Sequence, residues 1–481
     1  MTPPPAASAA PSGPADGGGG AVHGLLRPSP KVLAWALYDA AASAYWGVVP
    51  ILLLPLFFQS VVSPGPGSET RWALVAGVAL LLPGLAAPFV GALADRGRRW
   101  GLLAAATLAC ALATAALGAV PAGGVLAAAG LFVVAQAGYL LGASLADSYL
   151  PHLARPGEAG RISALAWAVG FLGGVAAVLV CLPLASGGLE GDALGRFRLA
   201  FPAVGLLLLV LALPALLALR GVRAPGPAGG AEDASPTSAW RRVVATVRGW
   251  RRERQLFRFL AAFYLINDGV VTVLFFGAIY LRGAFGASVA ELLWLALALH
   301  LFGVPATAAA GHLADRWSHR GTIYLTLAVW IAVIAIMAFG SAPWLARWVV
   351  GLIALVIGST QSVCRSLFSL LIPPERAGEL YGFNAVAGRL SAAFGPLLFG
   401  AVGAVTGSQR WALLSIGLFF AAGGALLARV ALPRPLRRRL SVRAAAPRLS
   451  RAAGAGRWRP RAARPPCRRR SPPRGWRRRG R

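Results

Sequence analysis

The sequence predicts an all-α membrane protein of twelve transmembrane helices, arranged as two six-helix pseudo-repeats. Three observations carry that expectation: a composition too apolar for a water-facing surface, twelve apolar runs of membrane length, and an internal repeat with a spacing of about 220 residues.

Composition comes first. Of 481 residues, 57% are hydrophobic and 13% charged, and the mean hydropathy is +0.65. Soluble domains average about 25% charged residues, so this chain lacks the polar surface to face water all round. Apolar runs of ~18 residues or more read as membrane spans. They fall at 33–60, 72–94, 100–120, 124–150, 160–186, 197–220, 256–283, 287–313, 321–341, 344–372, 378–405 and 409–432.

Basic residues set the expected orientation. Arg96, Arg98 and Arg99, then Arg155 and Arg161, then Arg316, Arg320 and Arg376 fall in alternate loops. The opposite loops hold mostly single arginines (Arg71, Arg282, Arg347, Arg410), with Arg196 and Arg198 as one pair. The positive-inside rule then places both termini in the cytoplasm.

The domain plan follows. Residues 1–32 read as a disordered cytoplasmic leader and 33–220 as an N-terminal six-helix bundle. Residues 221–255 form a linker, 256–432 a C-terminal six-helix bundle, and 433–481 a disordered Arg/Pro-rich tail. In the linker, Trp240, Val243, Val244 and Val247 alternate with Arg241, Arg242, Arg248, Arg251 and Arg252, the pattern of a basic amphipathic helix on anionic headgroups or, equally, of a solvated linker helix. Arg434 to Arg481 holds 19 arginines and no acidic residue, the largest share of the net charge of +31. Behind a membrane domain, such a tail points to anionic lipid of the cytoplasmic leaflet rather than to nucleic acid.

Four cysteines show neither metal-ligand nor disulfide-framework spacing, and no cofactor is expected. High Ala, Gly, Pro and Arg usage with a single lysine, Lys31, points to a high-GC bacterial gene. The expected location is the inner (plasma) membrane, with the lipid bilayer as the chain's surroundings and the monomer as its working unit.

The repeat is the strongest organisational signal. Gly91–Gly101 (GALADRGRRWG) and Gly311–Gly321 (GHLADRWSHRG) agree at six of eleven positions. Pro156, Ala159, Gly160 and Gly170 recur as Pro374, Ala377, Gly378 and Gly388. Two matched loops at nearly one offset imply parallel repeats, the arrangement of the major facilitator fold. Within the loops, Gly91 and Gly311 are expected to let helix backbones approach closely. Asp95 and Asp315 suit a helix N-terminus, where partial positive charge favours a carboxylate. Arg96, Arg99 and Arg316 would hold the loops at the surface, making these residues a conformational latch.

These loops resemble the cytoplasmic signature of the major facilitator superfamily. Trp35–Tyr45, Tyr264–Thr272, Arg365–Gly388 and Phe394–Leu414 resemble, more narrowly, the vacuole-effluxer family. That family includes the autophagy-related vacuolar amino-acid effluxers of fungi and many bacterial members. The resemblance covers roughly residues 33–432 and implies efflux of small solutes, amino acids first.

Charge inside hydrocarbon costs at least ~2.5–3.5 kcal/mol per residue, so each case needs a reason. Asp39 and Asp268 lie in spans one and seven, the first of each half. Asp268, with Tyr264, Asn267 and Thr272 on adjoining turns, is a candidate for proton or substrate coupling ahead of a structural ion pair; Asp39 has the same two readings, with the ion pair ahead because it lies closer to the surface. Arg389 is its candidate partner, or a clamp for a substrate carboxylate through its bidentate fork. Arg365 is placed for a gating ion pair. His300 can relay protons near neutral pH or simply bond to a neighbouring helix. Asp147 and Glu291, near span ends, read as interfacial.

No Walker loop and no nucleophile–base constellation is present, so the chain is not expected to be an enzyme or an ATP-driven pump. A secondary carrier working by alternating access is the leading expectation. A non-transporting membrane scaffold or receptor, and a lipid or amphiphile translocator, are the alternatives.

Overall fold

The computed structural model describes residues 29–94, 98–149, 153, 159–222, 244, 248, 251, 253–372, 384, 387–388 and 391–431. Asp95, Arg96 and Arg389, almost all of the predicted linker helix and the arginine-rich tail lie outside these residues.

Twelve helical segments are seen among them. The first, α1 (Pro30–Trp46), runs on through π-helical turns at Val49–Leu53 and Phe58–Val62, separated by an α-helical turn at Leu54–Phe57. Then come α2 (Ser68–Leu93), α3 (Arg99–Leu117), α4 (Val125–Asp147), α5 (Ala159–Ala185) and α6 (Gly191–Leu219). The second half comprises α7 (Arg254–Phe285), α8 (Val289–Arg316), α9 (His319–Phe339), α10 (Leu345–Leu371), α11 (Phe394–Thr406) and α12 (Gln409–Ala428). Eleven are long and apolar enough to cross a bilayer, and α11 is a shorter apolar helix.

Two expected spans differ in form. Span one is not a uniform α-helix, because Pro50 and Pro55 each lack an amide and break the regular ladder. The described helix of span eleven begins only at Phe394, after a turn at Ala392–Ala393. Pro396 is tolerated there because first-turn amides have no intrahelical acceptor in any case.

Local signals fix the other ends. Ser29 accepts from the Val32 amide with Pro30 at the first helical position. Ser288 and Glu291 close a capping box at the start of α8. Gly286 and Gly407, at φ +68° and +63°, end α7 and α11 in the left-handed conformation that glycine adopts without cost.

Packing repeats from one half to the other. In the first, α1 lies on α5, α6 and α4, α3 on α4 and α6, α2 on α4, and α5 on α6. In the second, α7 lies on α11, α12 and α10, α9 on α10 and α12, α8 on α10, and α11 on α12. The halves meet along two seams, α2 with α11 and α5 with α8, joined by α7 against the π-helical part of α1.

Small residues make these approaches possible. A side chain at Gly173 would land on the backbone of Ala40, and one at Gly138 would strike the Ala106 carbonyl at 2.5 Å. Gly311 does not conform to the expected close approach, because a Cβ there would meet nothing within 4 Å among the described residues. The outer face is apolar: Leu126 is 88% exposed and Val405 87%, as lipid contact requires. Trp294, Trp344, Trp348 and Trp411 are exposed near the starts of α8, α10 and α12, an aromatic belt at the end of the bundle remote from the termini.

Candidate functional site

The predicted polar residues of α7 gather at midspan. Tyr264, Asn267 and Asp268 stand three and four residues apart, hence on one helix face. Asp268 is buried, and its Oδ1 accepts the Gly395 amide at 2.9 Å. Its seen partner is therefore the open N-terminus of α11, where amide donors and the helix dipole favour a carboxylate. The expected ion pair with Arg389 lies outside the described residues. Thr272 donates to the Asp268 carbonyl at 2.7 Å, so its hydroxyl is satisfied within α7.

Asn267 accepts from Gln361 Nε2 at 2.7 Å, tying α7 to α10. Gln361 was not among the sequence candidates; a lone amide in the apolar run of span ten was the available signal. The Tyr264 hydroxyl is buried with no hydrogen-bond partner among the described residues, and its ring edge faces Gly388.

Among the described residues His300 bonds its own helix and not a neighbouring one: Nδ1 meets the Ala296 carbonyl at 2.8 Å. Its ring is buried in the α5/α8 seam, against Gly174 of α5 and Gly47 of α1, with Phe171 edge-on. Asp39 is half-buried on α1, within electrostatic range of Asp147 at the end of α4 and Arg365 on α10. This brings charges of both halves together near the end that carries the termini.

Of the expected latch, Gly91 lies in α2. Arg99 donates to the Ser148 carbonyl at 3.2 Å and lies over the Tyr149 ring. Asp315 is exposed and 3.7 Å from His319, whose Nε2 meets Ser366 Oγ at 2.9 Å. Arg316 is exposed in the last turn of α8, where a cation complements the helix dipole.

Aromatic rings join the halves toward the end remote from the termini. Trp46 stacks on Tyr139 at 5.5 Å and tilts against Phe275 of α7 at 5.7 Å. The Trp72 indole donates to the Phe275 carbonyl at 3.1 Å, and Gln409 donates to Glu69. None of these residues was among the sequence candidates. Aromatic residues in apolar helices are common, and only the fold shows which of them meet.

Quasi-twofold six-helix halves meeting along two seams, with polar groups at midspan, define a multi-pass membrane transporter of the major facilitator fold. Solved structures agree. A bacterial homologue of the human lysosomal transporter Spinster, in an inward-facing and occupied conformation, matches with a TM-score of 0.59 and 14% identity. The match covers 84% of this chain and 96% of that one. The nucleoside transporter NupG matches with a TM-score of 0.60 and 14% identity over 83% and 98%.

The chain belongs to the vacuole-effluxer family: the family described as "Vacuole effluxer Atg22 like" matches residues 68–439. The uncharacterized MFS-type transporter YxiO of Bacillus subtilis (strain 168) is 23% identical over 82% of this chain and 94% of its own length. Autophagy-related protein 22-2 of Sclerotinia sclerotiorum is 28% identical over 52% of this chain, a stretch that spans 40% of that relative. The protein is a transporter and not an enzyme.

Proposed function

We propose that the protein is a secondary active transporter exporting small solutes, amino acids first, with proton coupling. Residues 33–220 rock against 256–432 and open a midspan site to each side in turn. The observation that carries this reading is the polar face of α7. Asn267 meets Gln361 and Asp268 meets the Gly395 amide, with Tyr264 on the same face, where hydrocarbon surrounds the bundle. Polar and ionisable groups at that depth are expensive and mark substrate or proton paths. The family's description as a vacuole effluxer supports export, and the resemblance to the fungal vacuolar effluxers makes amino acids the first cargo to test.

In this reading Arg365 gates the termini-bearing end against Asp39 and Asp147, and that end faces the cytoplasm of the cell that carries the protein in its inner membrane. His300 and Arg389 are further candidates for coupling or cargo contact. The basic linker and tail rest on anionic lipid, and the protein works as a monomer.

The test is flux in liposomes containing the purified protein and a trapped pH dye. Labelled L-leucine and a panel of other amino acids are expected to move with protons. Asp268→Asn keeps an oxygen for the Gly395 amide, so it is expected to fold and to lose proton-linked flux. If no amino acid moves and no proton flux appears across the panel, the reading is wrong.

A further inference from the structure

We propose that Gln136, joined through Tyr45 to the Trp46–Tyr139 ring pair, forms the N-terminal half's wall of the cargo site. Its amide would donate to a carbonyl or carboxylate oxygen that the cargo carries beside a flat or apolar group. The proposal rests on the transporter reading and extends it to residues that neither motif nor family assignment singles out.

Gln136 sits at the middle of α4, eleven residues from either end, and has no exposed surface. Its Oε1 accepts from the Tyr45 hydroxyl at 2.9 Å, and its Nε2 has no hydrogen-bond partner among the described residues. Turning the amide over does not remove the problem. One end can meet Tyr45, and the other stays without a partner. Buried polar groups are nearly all paired, so an amide left half-paired at midspan calls for a partner supplied in another state.

The surroundings say what that partner brings. Tyr45 touches Gln136 through its hydroxyl and Tyr139 through its ring, at 5.3 Å. Tyr139 stacks on Trp46 with 10° between planes, and both rings are half-buried while Gln136 and Tyr45 are enclosed. Trp46 in turn faces Phe275 of the other half. Contacts therefore run from the amide through Tyr45, Tyr139 and Trp46 to Phe275, and separating the halves removes Phe275 from the Trp46 face. A flat or apolar group can then take the place of Phe275 against Trp46. An oxygen next to it can take the free Nε2 hydrogens once the rings part. This wall carries no ionisable carboxylate or base, so the charged contacts of the cargo fall to other helices.

The test uses full-length protein in detergent, with L-phenylalanine as the probe and thermal unfolding as the readout. The wild type is expected to be stabilised by the probe. Gln136→Leu removes the half-paired amide but also the acceptor of the buried Tyr45 hydroxyl, so its unfolding temperature without ligand is not the readout. The variant should need at least about tenfold more L-phenylalanine for the same shift. Trp46→Phe keeps a ring and is expected to retain most of the response that Trp46→Ala loses.

A Gln136→Leu protein that responds normally to the probe makes Gln136 a structural support for Tyr45 and overturns the proposal. A wild type that does not respond overturns it as well. A wild type that responds but moves no amino acid in liposomes leaves the site standing and removes the amino-acid-export reading, so the two fail separately.

Discussion

The two halves anchor the turn between their second and third helices in the same places with different chemistry. In the first half, the Trp100 indole donates to the Leu216 carbonyl at 2.7 Å, near the end of α6. In the second, Arg320, 220 residues on, donates to the carbonyls of Leu427, Ala428 and Val430 at the end of α12. One residue earlier, Arg99 reaches Ser148 after α4, and its counterpart His319 reaches Ser366 of α10. The duplicated framework demands one side chain at the start of the third helix that reaches the end of the last helix and another that reaches the fourth, and leaves open which residues these are. Arg320 gives more than Trp100, because a cation on several unsatisfied carbonyls also complements the C-terminal dipole.

The seams differ in a similar way. At α2/α11 the knob is Leu397 seated on Gly77, and at α5/α8 it is His300 seated on Gly174. A small residue opposite a bulky one solves both contacts. The imidazole adds a polar atom at the second seam that the leucine does not bring to the first.

The severest way to break this equivalence lies inside the first half. Gly173→Leu places a side chain on the Ala40 backbone, which cannot move aside as a side chain end can. A loss of about 3 kcal/mol or more is expected, seen as failure to give a monodisperse protein after purification. The turn anchors come next. Arg320→Ala is expected to lower stability by about 2–3 kcal/mol, and Trp100→Phe by about 1 kcal/mol, both read by thermal unfolding in detergent. Equal losses would show that the several contacts of Arg320 count for no more than the one of Trp100. Smallest is Arg347→Ala, which removes an exposed pair with Glu291 at 3.6 Å and is expected to cost no more than about 0.5 kcal/mol.

Much of this architecture is legible in the chain. Apart from span eleven, whose described helix begins only at Phe394, apolar runs located the helices within about six residues, because hydrocarbon thickness fixes their length. The Asp95 and Asp315 loops revealed the duplication, and the segments from Arg365 to Gly388 and from Phe394 to Leu414 pointed to the family. The midspan face of α7 was also readable, since Asn267 and Asp268 are conspicuous in an apolar run. Less was readable about partners. Asp268 meets the Gly395 amide, and a backbone donor at a helix start leaves no side-chain signal 127 residues away.

The sequence by itself determined that this protein spans a membrane, how many helices it has, that they form two copies of one plan, and the family it belongs to. Each of these depends on composition and spacing along the chain. Only the tertiary structure decided which groups meet across the halves, His300 on Gly174 and Trp46 against Phe275, and that the half-paired amide of Gln136 is joined through Tyr45 to the Trp46–Tyr139 stack. Such contacts depend on helix rotation and on the absence of side chains at particular glycines, and neither is written into the hydropathy of any one segment.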